Sequence, residues 1–138
     1  HWQDINPVHT EGLIQLTCGG PQIIYHGGLL HVRLRYYDAE ARRPGLPPDV
    51  AALVDGYDAE SVSVTVVNAN PLQPRKVILQ AGAFGEHTLT QVVDLDANQA
   101  YAINGKWLEL HLAPGGCVRL ALGMKRYANK PSYEQPAM

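Results

Sequence analysis

The sequence predicts an all-β fold, an antiparallel two-sheet β-sandwich of about seven to nine strands, with one short crossover helix near residues 48–55. Three observations predict it. Five segments alternate apolar and polar residues with a period of two, the pattern of a strand with one face in a core and the other in water. Clusters of Gly, Pro and Asn separate these segments, as turns require. The strands alternate instead of reading as continuous apolar runs, which favours antiparallel pairing.

The chain opens weakly. Leu13–Thr17 and Ile23–His26 have strand character, and the run Cys18-Gly19-Gly20-Pro21 to Gly27-Gly28 around Tyr25 and His26 is dense in glycine. Glycine lets a backbone approach a ligand or a neighbouring strand closely. Tight turns between short strands explain the run, and a ligand contact at Tyr25 is the other reading. No Gly-Lys-Ser/Thr follows, so it is not a phosphate loop. From Gly28 to Tyr37 the residues Leu30, Val32, Leu34 and Tyr36 share one face. His31, Arg33 and Arg35 share the other as a basic stripe. An Arg fork suits a carboxylate or phosphate, and pairing with Asp38 or Glu40 is the structural alternative.

Pro44-Gly45-Leu46-Pro47-Pro48 reads as a rigid loop. It leads into Asp49-Val50-Ala51-Ala52-Leu53-Val54-Asp55, with Pro48 near the start of two helical turns. This helix is expected to cap one end of the sandwich. Ser61–Asn68 then points Val62, Val64 and Val66 inward, and Arg75–Ala83 points Val77, Leu79 and Ala81 inward with Lys76 and Gln80 outward. Asn68-Ala69-Asn70-Pro71 forms the turn before it. Thr88–Val93 and Gln99–Ile103 are weaker strands. Asn104-Gly105 is a strong hairpin signal, because a type I′ turn needs positive φ at both central residues. It predicts that the strand ending there pairs with Lys106–Leu112. Pro114-Gly115-Gly116 precedes the last strand, Cys117–Met124, with Val118, Leu120, Leu122 and Met124 inward. These elements divide the chain into a leading segment or linker (1–21), the sandwich domain (22–125) and an extended or unstructured tail (126–138).

Charge and motifs narrow the function. Thirteen acids against 11 bases give a net charge of −2, which argues against nucleic acid as a partner, since phosphate binding needs basic excess. No apolar run approaches the roughly 20 residues of a membrane-spanning helix. Cys18 and Cys117 are the only cysteines; they are read as two buried free thiols, or as one disulfide in an exported protein. The six histidines form no His-x-His or His-Glu-x-x-His pair, so no metal motif is readable. The first residue, His1, is compatible with a domain cut from a longer protein, a matured secreted chain or a tag remnant. If it is a mature N-terminus, its amine and ring could chelate copper, as in the copper-dependent polysaccharide monooxygenases.

On the strand 106–112, Trp107, Glu109 and His111 point outward together. A tryptophan beside a carboxylate and an imidazole suits sugar stacking with polar orientation; the alternative is a face packed on another domain. No nucleophile elbow is present.

Two stretches carry a family resemblance. Ser63-Val64-Thr65-Val66-Val67-Asn68-Ala69-Asn70-Pro71, followed by Arg75-Lys76-Val77-Ile78-Leu79-Gln80-Ala81-Gly82, is one. Leu108-Glu109-Leu110-His111-Leu112-Ala113-Pro114-Gly115-Gly116-Cys117-Val118-Arg119-Leu120 is the other. They resemble the accessory β-sandwich domains at the C-terminal end of many bacterial glycoside hydrolases. Gly27-Gly28-Leu29-Leu30-His31-Val32-Arg33-Leu34-Arg35-Tyr36-Tyr37 and Gly82-Ala83-Phe84-Gly85-Glu86-His87, with Arg126-Tyr127-Ala128-Asn129-Lys130-Pro131, also resemble the end of large uncharacterised bacterial proteins. The resemblance implies a fold and a neighbourhood, with no catalytic residue to transfer. The function expected is therefore a non-catalytic β-sandwich module that supports or binds carbohydrate beside an upstream carbohydrate-active domain, with no cofactor. Two alternatives are a secreted copper-dependent oxidase using His1 and a small interaction subunit of a hetero-oligomer.

Overall fold

The computed structural model describes residues 33–138. They form nine strands and no helix. In chain order these are β1 (Leu34–Asp38), β2 (Arg43–Pro44), β3 (Val50–Tyr57), β4 (Ser61–Asn68), β5 (Arg75–Ala81), β6 (Thr88–Asp94), β7 (Gln99–Gly105), β8 (Trp107–Leu112) and β9 (Cys117–Lys125). They make two sheets, ordered β2-β1-β5-β8 and β3-β4-β9-β6-β7. Every neighbouring pair is antiparallel.

One apolar cluster joins the two sheets. Leu34, Tyr36, Val77, Leu79 and Leu112 come from the first, and Val50, Val62, Val64, Val66, Leu89, Leu120 and Leu122 from the second. The inward sets read from the alternation of β4, β5 and β9 are all in this cluster, with Val118 packed at its margin. Each fully buried Val or Leu contributes roughly 1.5–3 kcal/mol.

Two sequence expectations are corrected. The segment expected to be helical near 48–55 is strand β3. Val50, Ala52 and Val54 are buried while Ala51 and Leu53 are half-exposed, a period of two. A short apolar run fits both periods, because Val50 and Val54 are also one helical turn apart. Pairing with β4, from Val50↔Asn68 to Tyr57↔Val62, decides for the strand. The Asn104-Gly105 hairpin does not form either. Neither residue has a positive φ, and Gly105 remains paired with Leu89 on β6. The chain then passes to the other sheet, where the Lys106 carbonyl accepts the Ala81 N–H at 2.8 Å. There Leu108 and Leu110 lie opposite Leu79 and Val77.

The connections after Asn68 and Pro114 also cross between sheets and are tied together. The buried Asn68 side chain donates to the carbonyls of Gln73 (2.8 Å) and Ala113 (3.2 Å), and accepts the Asn70 N–H at 3.0 Å. Asn70 donates to Asp49 at 2.9 Å. Asp49 in turn holds Arg75 through contacts of 2.9 and 2.8 Å. The Arg75 hydrogen bonds hold the Asp49 carboxyl down at about 2.

Candidate functional site

The expected outward triplet on β8 divides. Glu109 and His111 are exposed and bonded to each other at 3.1 Å. Trp107 is half-buried and engaged on several sides. Its Nε1–H donates to Gln80 Oε1 at 2.8 Å, the Lys106 ammonium lies 4.7 Å from its ring centroid, and it packs against the buried cluster of Tyr37, Ala39 and Ile78, as does Met138. Gln80, expected to be a solvated outward residue, is 1 % exposed. It is held by Tyr37, by Trp107 and by the carbonyls of Gly82 and Ala83.

Much of that outer layer comes from the C-terminal segment. Residues 126–138 run without strand or helix and dock as a strap. The Asn129 and Ser132 N–H groups bond the carbonyls of Glu86 and Phe84 at 3.0 and 2.9 Å. Glu134 meets Lys106 at 3.4 Å, and Met138 reaches Tyr37 and Ile78.

The basic stripe is dispersed. Arg33 is buried with its guanidinium 5.0 Å from the Tyr57 ring centroid; burial, followed by Arg126, lowers its proton affinity. Arg35 donates to the Ala83 carbonyl at 3.3 Å and lies over Tyr37. Tyr25, His31, the copper candidate His1 and Cys18 lie outside the described residues. Cys117 is an exposed free thiol, which corrects the expectation of a buried thiol at this position: it starts β9 at an outward position, next to the half-buried Val118.

A different surface gathers polar side chains around an open space. A broad, shallow groove of about 1030 Å³ crosses the outer face of the five-stranded sheet, over the neighbouring strands β4, β9 and β6. Its floor is Ala121 and Gly123 on β9. One wall is the β3–β4 turn, with Asp58, Glu60 and Ser61; the other is Thr90 and Gln91; Lys125 and Arg126 lie at one end. The β6 wall is built by a bulge, since pairing with β9 slips between Leu89 and Gln91. A bulge projects an additional side chain from its strand. Here the strand bearing Thr90 lies so close to Gly123 that a Cβ there would meet the Thr90 hydroxyl at 2.7 Å. The opposite wall is fixed by the turn, where Asp58 accepts the Glu60 N–H at 2.8 Å. That bond lowers the Asp58 pKa, keeping an ionised acceptor at the rim.

This surface carries neither an aromatic nor a charged stripe on its strands' outward positions, the features that single out a candidate face in the sequence. The available signal was the facing outward positions Ser61 and Ser63 on β4 and Gly123 and Ala121 on β9, four small residues in one patch of the sheet.

Among the described residues no group of three or more His, Cys, Asp or Glu could hold a metal ion, and no helix is long and apolar enough to cross a membrane. No model of a protein family matches the chain. A comparison with curated proteins likewise finds no match.

Proposed function

We propose that this chain is a non-catalytic β-sandwich module that binds a carbohydrate chain beside a carbohydrate-active domain, and that the groove over β4, β9 and β6 is the binding surface. The observation that carries the reading is the groove's lining: a floor of small residues between walls that offer both hydrogen-bond acceptors and donors. A sugar presents hydroxyls around its ring, each both donor and acceptor, so walls that offer donors and acceptors on both sides can fix its orientation. Asp58 and Glu60 supply acceptors, Lys125 donors, and Ser61, Thr90 and Gln91 both.

A second reading has the same floor in its favour. A flat area of small side chains also fits a protein neighbour, which would make this face the contact with an upstream catalytic domain or a partner subunit.

Affinity electrophoresis through gels containing soluble polysaccharides separates the two. The wild-type chain is expected to be retarded by at least one neutral polysaccharide. Glu60→Ala and Gln91→Ala should abolish most of that retardation, while Glu109→Ala with His111→Ala should leave it intact. Loss in the β8 variant alone would move the site to Trp107, Glu109 and His111. Absence of retardation by every polysaccharide would remove the carbohydrate reading and leave the docking face.

A further inference from the structure

The loop between β5 and β6, residues 82–87, holds two buried ionisable side chains, Glu86 at 3 % and His87 at 1 % exposure. Glu86 Oε1 accepts the Phe84 N–H at 3.1 Å. His87 uses its ring differently. Its Nδ1 accepts the Tyr127 N–H at 2.9 Å, and the Tyr127 ring stands edge-on to it at 4.8 Å. An imidazole nitrogen accepts only when it carries no proton.

The charges around His87 disfavour a second proton there. Arg33 faces it from the segment before β1, Arg126 from the chain after β9, and Glu86 from its own loop. Two guanidiniums thus oppose one carboxylate. The Arg126 Nε is itself buried with no hydrogen-bond partner among the described residues, so acceptors are already short. Burial, reinforced by Arg126 and Arg33 against Glu86, holds the imidazole below its ordinary 6.5.

The strap is anchored at this same loop. After Tyr127, Asn129 bonds the carbonyls of Glu86, Gly85 and His87 and the Thr88 hydroxyl. Ser132 bonds the Phe84 carbonyl, and the Tyr133 ring meets Phe84 edge-on at 5.7 Å. Whatever displaces the loop therefore loosens the first half of the strap.

We propose that His87 is an acid-sensitive latch: a proton on Nδ1 turns the acceptor of the Tyr127 N–H into a donor and releases the strap from the 82–87 loop. The direction follows from linkage. The closed state takes up a proton less readily than the open one, so closure is complete above about pH 6.5 and weakens as pH falls below it. If the closed imidazole stays neutral, the open fraction rises up to about 25-fold between pH 7 and pH 5.

Amide hydrogen exchange of the full chain, read by mass spectrometry at both pH values and corrected for intrinsic rates, tests this. Protection in residues 127–132 should fall about ten- to 25-fold, while amides of β4 and β9 keep theirs. His87→Asn places an acceptor oxygen near the Nδ1 position without a titrating group, and it should lose the response. Unchanged strap protection in the wild type, parallel loss across β4 and β9, or an acid response that survives His87→Asn would each overturn the proposal. Should His87→Asn fail to fold, the wild-type imidazole resonances decide: titration at or above 6.5 refutes the latch, and titration below it supports the latch.

Discussion

Asn68 is a sharp test of how the two sheets are joined. Its side chain is fully buried at the end of β4, where the β4–β5 and β8–β9 crossovers meet. Asn68→Ala removes the partners of the Gln73 and Ala113 carbonyls and of the Asn70 N–H, three hydrogen bonds of 2.8 to 3.2 Å. The fourth contact, to the Leu112 carbonyl, is long at 3.4 Å and adds little. At about 1 kcal/mol for each bond lost in a buried site, the cost is about 3 kcal/mol. Released constraints on Asn70 would also free Asp49 and Arg75. In urea unfolding with a slope near 1.5 kcal/mol/M, the midpoint should drop by about 2 M. Asn68→Asp gives an independent arm. It keeps the acceptor for Asn70 but turns oxygen toward two carbonyls, so it should cost at least as much as alanine. An alanine variant within about 1 kcal/mol of wild type, or an aspartate variant as stable as wild type at neutral pH, would refute the account of Asn68 as the tie between crossovers.

Two further perturbations follow from the same geometry. The Asp49 carboxyl, held at about 2 against an ordinary 3.8, is lowered in the folded state, so its contribution is complete above about pH 4 and is lost as pH falls through 2. With its side chain 22 % exposed, that contribution is about 1 kcal/mol after solvent screening, and Asp49→Asn should flatten the acid limb of the stability profile by that amount; an unchanged limb contradicts the ion pair's role. Gly82 has φ +90, and a Cβ there would overlap the Glu86 carboxylate. Gly82→Ala should therefore cost more than about 3 kcal/mol, measured by thermal unfolding. Adding Glu86→Ala should recover part of the loss by removing the overlap; no recovery would mean that strain at φ alone sets the cost.

The period-two alternation of β4, β5, β8 and β9 made those strands legible in the sequence, because a strand's side chains alternate whatever it pairs with. The inward sets of the core were legible for the same reason. Pairing was not. Asn104-Gly105 has the composition of a hairpin, yet β7 stays with β6 and β8 goes to β5. Turn composition is a local preference, and it yields to the burial of Leu108 and Leu110 against Leu79 and Val77 on β5. The stretch from Val50 to Asp55 fits both helix and strand, and only the presence of β4 beside it decides.

The candidate site divides in the same way. Trp107 reads as an exposed aromatic platform because alternation reports which face of a sheet a residue occupies, not what covers that face. Gln80, distant in sequence, engages its ring nitrogen, and Tyr37, Ala39 and Ile78, equally distant, form the buried cluster on which it packs. The groove's β6 wall was not legible for the opposite reason, since Thr90 meets Gly123 only where a bulge in β6 brings them together. The all-β class, most strand positions and the inward faces follow from the order of the residues, because local stereochemistry and the burial of apolar surface set them. Tertiary structure alone decided strand partners, the covering of Trp107 and the burial of His87 against Tyr127, because these depend on contacts between residues far apart in the chain.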